Sequence, residues 1–268
     1  MEWPVDDKFS EFRSEVEAQL PQQLLLRDIS EHPNPDVRKQ PGHYEPNNNT
    51  VWINHIYRGI ERLYVVSHEV AHAWQFANGY PRVHAVYEPS NIHEDNQYLR
   101  DLIYKISNLA DRISNVVLDL AAYREVSTRD IVQKELLSPT LPKVYTDDFK
   151  MFDPNVFDKE LSRLPNRIKK NTIMTEPQLL AFWLSYGVGV VTNACALASG
   201  ILRIKEADRF DRTMIQMYQL YPEPTRRVSD RLNEIVVDND IISVAGCEKA
   251  LESILQYLNV PKEIMTLG

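Results

Sequence analysis

Apolar residues recur at helical spacing over residues 6 to 28, where Phe9, Phe12, Val16, Leu20 and Leu24 predict a first helix. A loop rich in Pro and Asn follows, from Ser30 to Gly42. The pattern then changes. Tyr44, Val51, Trp52 and Ile53 favour extended backbone, and the three asparagines between them accept left-handed turn geometry, so His43 to Asn54 predicts a β-hairpin. A helix is predicted from about Arg58 to Asn78, where Asn78-Gly79 stops it and Pro81 forbids continuation. A longer one is predicted from Glu94 to Val126. Its stripe of Leu102, Ile106, Leu109, Ile113, Val116 and Leu120 falls within about 40° of one direction at 100° per residue. Residues 137 to 170 carry Pro139, Pro142, Pro154 and Pro165 with few periodic runs, which reads as a linker or extended arm. From Glu176 onward the pattern is helical again, broken at Pro222, Pro224 and the polar turn Asp238-Asn239-Asp240.

The 26 residues from Pro177 to Leu202 carry no charge, which is long enough to span a bilayer. Ser185, Thr192, Asn193, Ser199 and three glycines interrupt the run, and basic residues flank both ends. The preferred expectation is a buried central helix, with a membrane span as the alternative.

Composition sharpens the picture at a few points. With 268 residues, 43% hydrophobic and 25% charged, the chain has the make-up of a globular protein with a sizeable core. Only 8 glycines disfavours a turn-rich all-β fold. A net charge of −8 argues against broad nucleic-acid binding. Cys195 and Cys247 sit among small apolar residues and are too few for a disulfide scaffold, so both are expected as reduced thiols in a cytoplasmic protein. The acidic N-terminal segment has no apolar run and does not read as a secretory signal.

The chemistry concentrates in Leu63-Tyr64-Val65-Val66-Ser67-His68-Glu69-Val70-Ala71-His72-Ala73-Trp74. Two histidines four apart on a helix are nearly aligned and about 6 Å apart along the axis, so both imidazoles can reach one cation. Glu69 is rotated to the side, where it can reach a water on that cation instead. The frame around these three residues is apolar, and burying them without compensation is costly. The competing reading is a surface helix with a solvated His/Glu pair. Ser67 has no separate base and is not a candidate nucleophile.

This segment resembles the HExxH zinc metallopeptidases, the zincins, in which a strand-bearing hairpin precedes the metal helix. The resemblance covers roughly residues 43 to 126. It implies an α+β fold, predominantly α, with a zincin-like core, a small antiparallel sheet and a C-terminal helical subdomain. The expected domains are 1–135 for the catalytic core and 136–268 for that subdomain. It implies one zinc ion per chain and a peptide or protein substrate. It further implies that an edge strand, here Val51, Trp52, Ile53 and Asn54, pairs with the substrate backbone.

The third ligand is less direct. Position 78 is Asn and position 82 is Arg, so the metzincin pattern, with a third His six residues after His72, is excluded. The gluzincin pattern, Glu-x-x-x-Asp on a downstream helix, is matched best by Asn115-Val116-Val117-Leu118-Asp119, with Asn in place of Glu. A related Asn-x-x-x-Asp arrangement occurs in some HExxH peptidase families of uncertain function. Asp119 stands alone in the run VVLDLAAY, and a lone carboxylate there needs a cation or strong donors. Asp119 is therefore the expected third ligand, with Asn115 as the alternative ligand or as a residue that holds Asp119 or a histidine in place. Tyr123, one turn on, is a possible oxyanion donor or a packed tyrosine. Asp111 and Glu125 read as surface, His84 and His93 as surface histidines near the cleft, and His55 as a strand cap. Arg226 and Arg227 could bind a substrate carboxylate or simply be solvated. Trp52, Trp74 and Trp183 read as core.

The expected function is a zinc-dependent metallopeptidase, an endopeptidase with Glu69 as general base. The alternatives are a binding or sensing module with a structural or vestigial metal site, and a membrane-associated peptidase. No nucleic-acid partner is expected, and the sequence leaves oligomeric state open.

Overall fold

The computed structural model describes residues 1–86, 97–131, 230–232, 234–258, 260, 262 and 265–268. The expected linker at 137–170, the uncharged run from Pro177 to Leu202, and Cys195, His93, Trp183, Arg226 and Arg227 lie outside the described residues. The fold is mixed α/β with a small sheet. Among the described residues, no helix is long and apolar enough to cross a membrane.

Helix α1 spans Asp7–Glu17. Asp6 caps it by accepting the Phe9 amide at 2.8 Å, and Phe9, Phe12 and Val16 form its buried face. The helix predicted over 6–28 therefore ends eleven residues early. Pro21 explains the stop. It has no N–H to donate, and its ring would strike the carbonyl four residues back, which is that of Glu17. The released chain forms strand β1, Leu25–Asp28, which the helical reading missed.

Strands β2 (Gly42–Glu45) and β3 (Thr50–Ile53) form the predicted antiparallel hairpin, with His43 opposite Trp52 and Tyr44 opposite Val51. Asn49 takes the left-handed turn position at φ 50°. Its buried side chain holds that place by accepting the Tyr44 hydroxyl at 3.0 Å and donating to the Gln22 carbonyl at 3.1 Å. The sheet is not purely antiparallel, as had been expected. Its order is β1-β3-β2, with β1 parallel to β3. A strand-forming segment brought in from before the loop supplies this second partner. It leaves β3 in the centre with all four residues buried. Trp52 packs with Ile29 and Val37 of the covering loop, so it fills core as predicted.

Helix α2, Gly59–Ala77, packs on β2, β3 and α1. It ends where Gly79 turns left-handed at φ 69°, at the predicted stop. Helix α3, Gln97–Thr128, matches the predicted long helix. Ile113 and Leu120 of its stripe are buried, and the side chains of Leu102, Ile106, Leu109 and Val116 lie outside those described.

The chain divides into two compact units. In the first, residues 1–79 join the C-terminal end of α3. Arg129 binds Glu15 of α1 through two nitrogens at 2.7 and 2.9 Å, and its guanidinium lies 4.3 Å from the Phe12 ring centre. The same Arg129 donates to Glu125 at 2.6 Å. Glu125 is thus buried rather than on the surface, with its carboxylate paired to Arg129 one turn on. In the second unit, β4 (Val83–Ala85) pairs antiparallel with β5 (Met265–Leu267). The Ser114 hydroxyl accepts the Val83 amide at 2.8 Å, and helix α4 (Val244–Tyr257) is capped by Ser243. Cys247 is buried in α4 as a free thiol, and burial pushes its pKa up to about 12.

The Glu15–Arg129 pair gives a stability prediction. The hydrogen bond from Arg129 holds the Glu15 carboxyl below its ordinary value of 4.5. Its contribution is therefore complete above that value and is lost as pH falls through the lower folded-state value. Glu15→Gln should lower the urea midpoint at pH 7, and the gap to wild type should close as the solution is acidified below pH 4.5. A gap that persists unchanged into that acid range would show that the pair does not contribute through charge.

Candidate metal centre

Helix α2 buries Tyr64, Val65, Val66, Ser67, Glu69, Val70, Ala71, Ala73 and Gln75, while His68 and His72 are half-buried. This apolar surround fixes the helix against the sheet and leaves the two imidazoles on a more open side. Ser67 is committed to its own helix, donating to the Leu63 carbonyl at 2.7 Å, in line with its having no chemical role. Trp74 is half-buried rather than in the core.

The two imidazoles converge. Nε2 of His68 and Nε2 of His72 are 3.1 Å apart, and their rings stand edge to face at 4.6 Å. Gln75 Oε1 lies 2.9 Å from His72 Nδ1. A carboxamide oxygen only accepts, so Nδ1 carries the proton and Nε2 presents its lone pair toward His68. Two ring nitrogens meeting at this distance share a proton or a cation. On one tetrahedral zinc, with bonds of about 2.0–2.1 Å, two nitrogens stand about 3.3 Å apart. The observed spacing fits.

A carboxylate completes the set. One ligand atom each from His68, His72 and Asp119 lies within 4.8 Å of the others. Asp119 is half-buried on α3 among the buried Val117, Leu118, Leu120, Ala121 and Ala122. Its helix runs on without a break into the turns that Arg129 ties to α1. Two imidazoles and one carboxylate are a donor set that suits zinc and leaves room for a further ligand. The group could hold a metal ion.

Glu69 is also buried, at 7% exposure, and its carboxylate lies against the main chain of Gly42 in β2. The base candidate thus sits between the metal helix and the sheet. Asn115, the alternative ligand, is exposed, and the carboxylate of the group is Asp119. The side chain of Tyr123 lies outside those described. Asp111 and His84 are exposed, as expected. His55 follows the end of β3, where its Nδ1 meets the Asp28 carboxylate at 3.2 Å.

The substrate-binding strand is a correction. Val51, Trp52 and Ile53 belong to β3, whose main chain is paired on both sides by β1 and β2. Asn54 donates its amide to the Pro41 carbonyl and its side chain accepts the Ile56 amide. A peptide cannot add to a strand already flanked on both sides. Sequence reasoning named the hairpin but chose its central arm. It also missed Gln75, whose signal was its place three residues after His72, on the neighbouring turn of the same helix.

Comparison with protein-family models, curated proteins and solved structures finds no match.

Gln75 predicts a measurable effect on metal binding. Partners that orient a ligating histidine are worth roughly 10–100-fold in affinity. Gln75→Leu should weaken zinc binding by about that factor in a competition titration with a chelating dye, with the circular dichroism spectrum unchanged. Equal affinity in the two proteins would remove Gln75 from the site.

Proposed function

We propose that this chain is a zinc-dependent metallopeptidase built on a zincin-like core, with the downstream ligand motif in its Asn-x-x-x-Asp form. The observation that carries the reading is the 3.1 Å convergence of His68 and His72 Nε2, with the Asp119 carboxylate inside the same 4.8 Å group and the buried Glu69 on the same helix.

His68, His72 and Asp119 would hold the ion. When bound, zinc supplies Lewis-acid activation of water and of a peptide carbonyl at neutral pH. Glu69 takes the proton of the attacking water and returns it to the leaving amine, which is why it must stand beside the ligands without being one. Gln75 keeps His72 in the tautomer whose Nε2 lone pair faces the ion. The apolar residues of α2 and β3 exclude bulk water from the buried side of Glu69 and so strengthen its electrostatic effect.

The corrected place for substrate is the edge strand β2. Pro41 and Asn54 form a hydrogen-bonded pair, so in this antiparallel register the next such pair is His43 with Trp52. Gly42 falls between them, with its N–H and C=O turned away from β3. A peptide laid along this side could pair with Gly42 while its carbonyl lies close to Glu69. Residues 177–202 carry no part of the reading, which needs no membrane. A buried free Cys247 fits a reducing compartment such as the cytoplasm.

Two substitutions test the assignment by different readouts. Glu69→Gln should retain zinc at wild-type stoichiometry and lose peptide cleavage by roughly 100-fold or more. Full activity in that variant would refute the role of Glu69. Asp119→Ala should lose zinc on dialysis while Asn115→Ala keeps it, as read by elemental analysis. Equal zinc in both would mean that the third ligand lies elsewhere.

A further inference from the structure

We infer that Gly42 is the positioning residue for Glu69: the missing side chain at this one point of β2 is the space that the carboxylate occupies. A Cβ built on Gly42 would stand 2.7 Å from Glu69 Oε1, 2.8 Å from Glu69 Cγ and 2.9 Å from Val65 Cγ1. Ordinary contact begins at 3.4 Å, so all three atoms would have to move. Backbone conformation does not explain the residue. The glycines with left-handed geometry among the described residues are Gly59 and Gly79, and Gly42 is not one of them. Strand propensity does not explain it either, since glycine weakens a strand unless something must approach its backbone closely. What approaches here is Glu69, from a helix packed on β2.

The wall is stiff on both sides. β2 is held by its ladder to β3. Glu69 and Val65 are one turn apart on α2, in the part of the helix that packs on the sheet, and both are buried. A methyl group at position 42 therefore pushes on the buried carboxylate together with Glu69 Cγ and Val65 Cγ1, not on a side-chain end alone. The three nearest atoms it would meet belong to Glu69 and Val65, and none of these three to His68 or His72. The substitution should then separate two properties that most changes near a metal centre damage together. Metal binding should survive and the placement of the base should not. A misplacement of about 1 Å costs roughly 100-fold in rate.

This inference rests on reading Glu69 as the general base, and its test has two arms. In the first, Gly42→Ala is loaded with cobalt and with zinc. The cobalt absorption spectrum and zinc stoichiometry should match wild type, while kcat on a peptide substrate falls by about 100-fold, and Gly42→Ala in a Glu69→Gln background should lower the residual rate no further. In the second, thermal unfolding is compared in a double-mutant cycle. Gly42→Ala alone should lower Tm by roughly 3–10 °C, and most of that cost should disappear in a Glu69→Ala background, where two of the three close contacts are gone. Near-wild-type kcat in Gly42→Ala, or the same thermal cost with and without the Glu69 side chain, would overturn the assignment. Should Gly42→Ala alone not fold, the Gly42→Ala/Glu69→Ala protein is expected to fold, and failure of both would equally overturn it. The thermal arm reads the contact whether or not the chain cleaves peptide. An error in the functional reading therefore leaves it intact, and an error about Gly42 leaves the Glu69→Gln result intact.

Discussion

The approach of two imidazole nitrogens to 3.1 Å is the constraint around which the first unit of this protein is arranged. Histidines four apart on a helix can meet, but nothing in helical geometry alone makes their ring nitrogens converge. Convergence needs each ring turned about its own side-chain bonds and held there. Gln75 does this for His72 through a hydrogen bond that also decides which nitrogen keeps its lone pair. The helix itself must not roll. Its buried face, from Tyr64 through Gln75, is pinned on the sheet by apolar contact, so rotation would expose several large side chains at once.

The C-terminal end of α3 depends on a different set of contacts. It is anchored by Arg129, which bridges Glu15 of α1 and Glu125 of its own helix while lying over Phe12. An ion-pair network of this kind adds little where it is exposed. Its use here is geometric: a bidentate arginine ties the C-terminal end of α3 to α1 within the first unit. The same α1 face that receives Arg129 contributes Phe9, Phe12 and Val16 to the core beside α2. One short helix thus packs on α2 and binds the C-terminal turns of α3 within the first unit.

Much of this was legible in the sequence, and the misses share a cause. The hairpin, α2 and α3 are local: turn asparagines, helical apolar spacing and a glycine stop are all read within twenty residues or so. The site histidines were legible for the same reason, and Asp119 because a single charge stands out in an apolar run. Residues 18 to 28 depart from the predicted helix because Pro21 clashes with the Glu17 carbonyl whatever the leucine spacing prefers. The remaining errors are non-local. Strand order cannot be read from a hairpin, and β1 occupies the side of β3 that the hairpin alone leaves open. Glu125 is buried beside an Arg129 that also reaches Glu15 of α1, a contact no local pattern shows, and β4 finds its partner β5 only near the other end of the chain. Gly42 was read as the end of a loop. Its meaning appears only when α2 folds back and sets a carboxylate against it.

The proposed metal centre requires one ion held by these particular atoms. X-ray absorption at the zinc edge of protein loaded with one equivalent of zinc tests it directly. The expected spectrum has two imidazoles and oxygen donors at about 2.0–2.1 Å, with no sulfur scatterer near 2.3 Å. Failure to retain zinc, or a first shell containing fewer than two imidazoles, would contradict it.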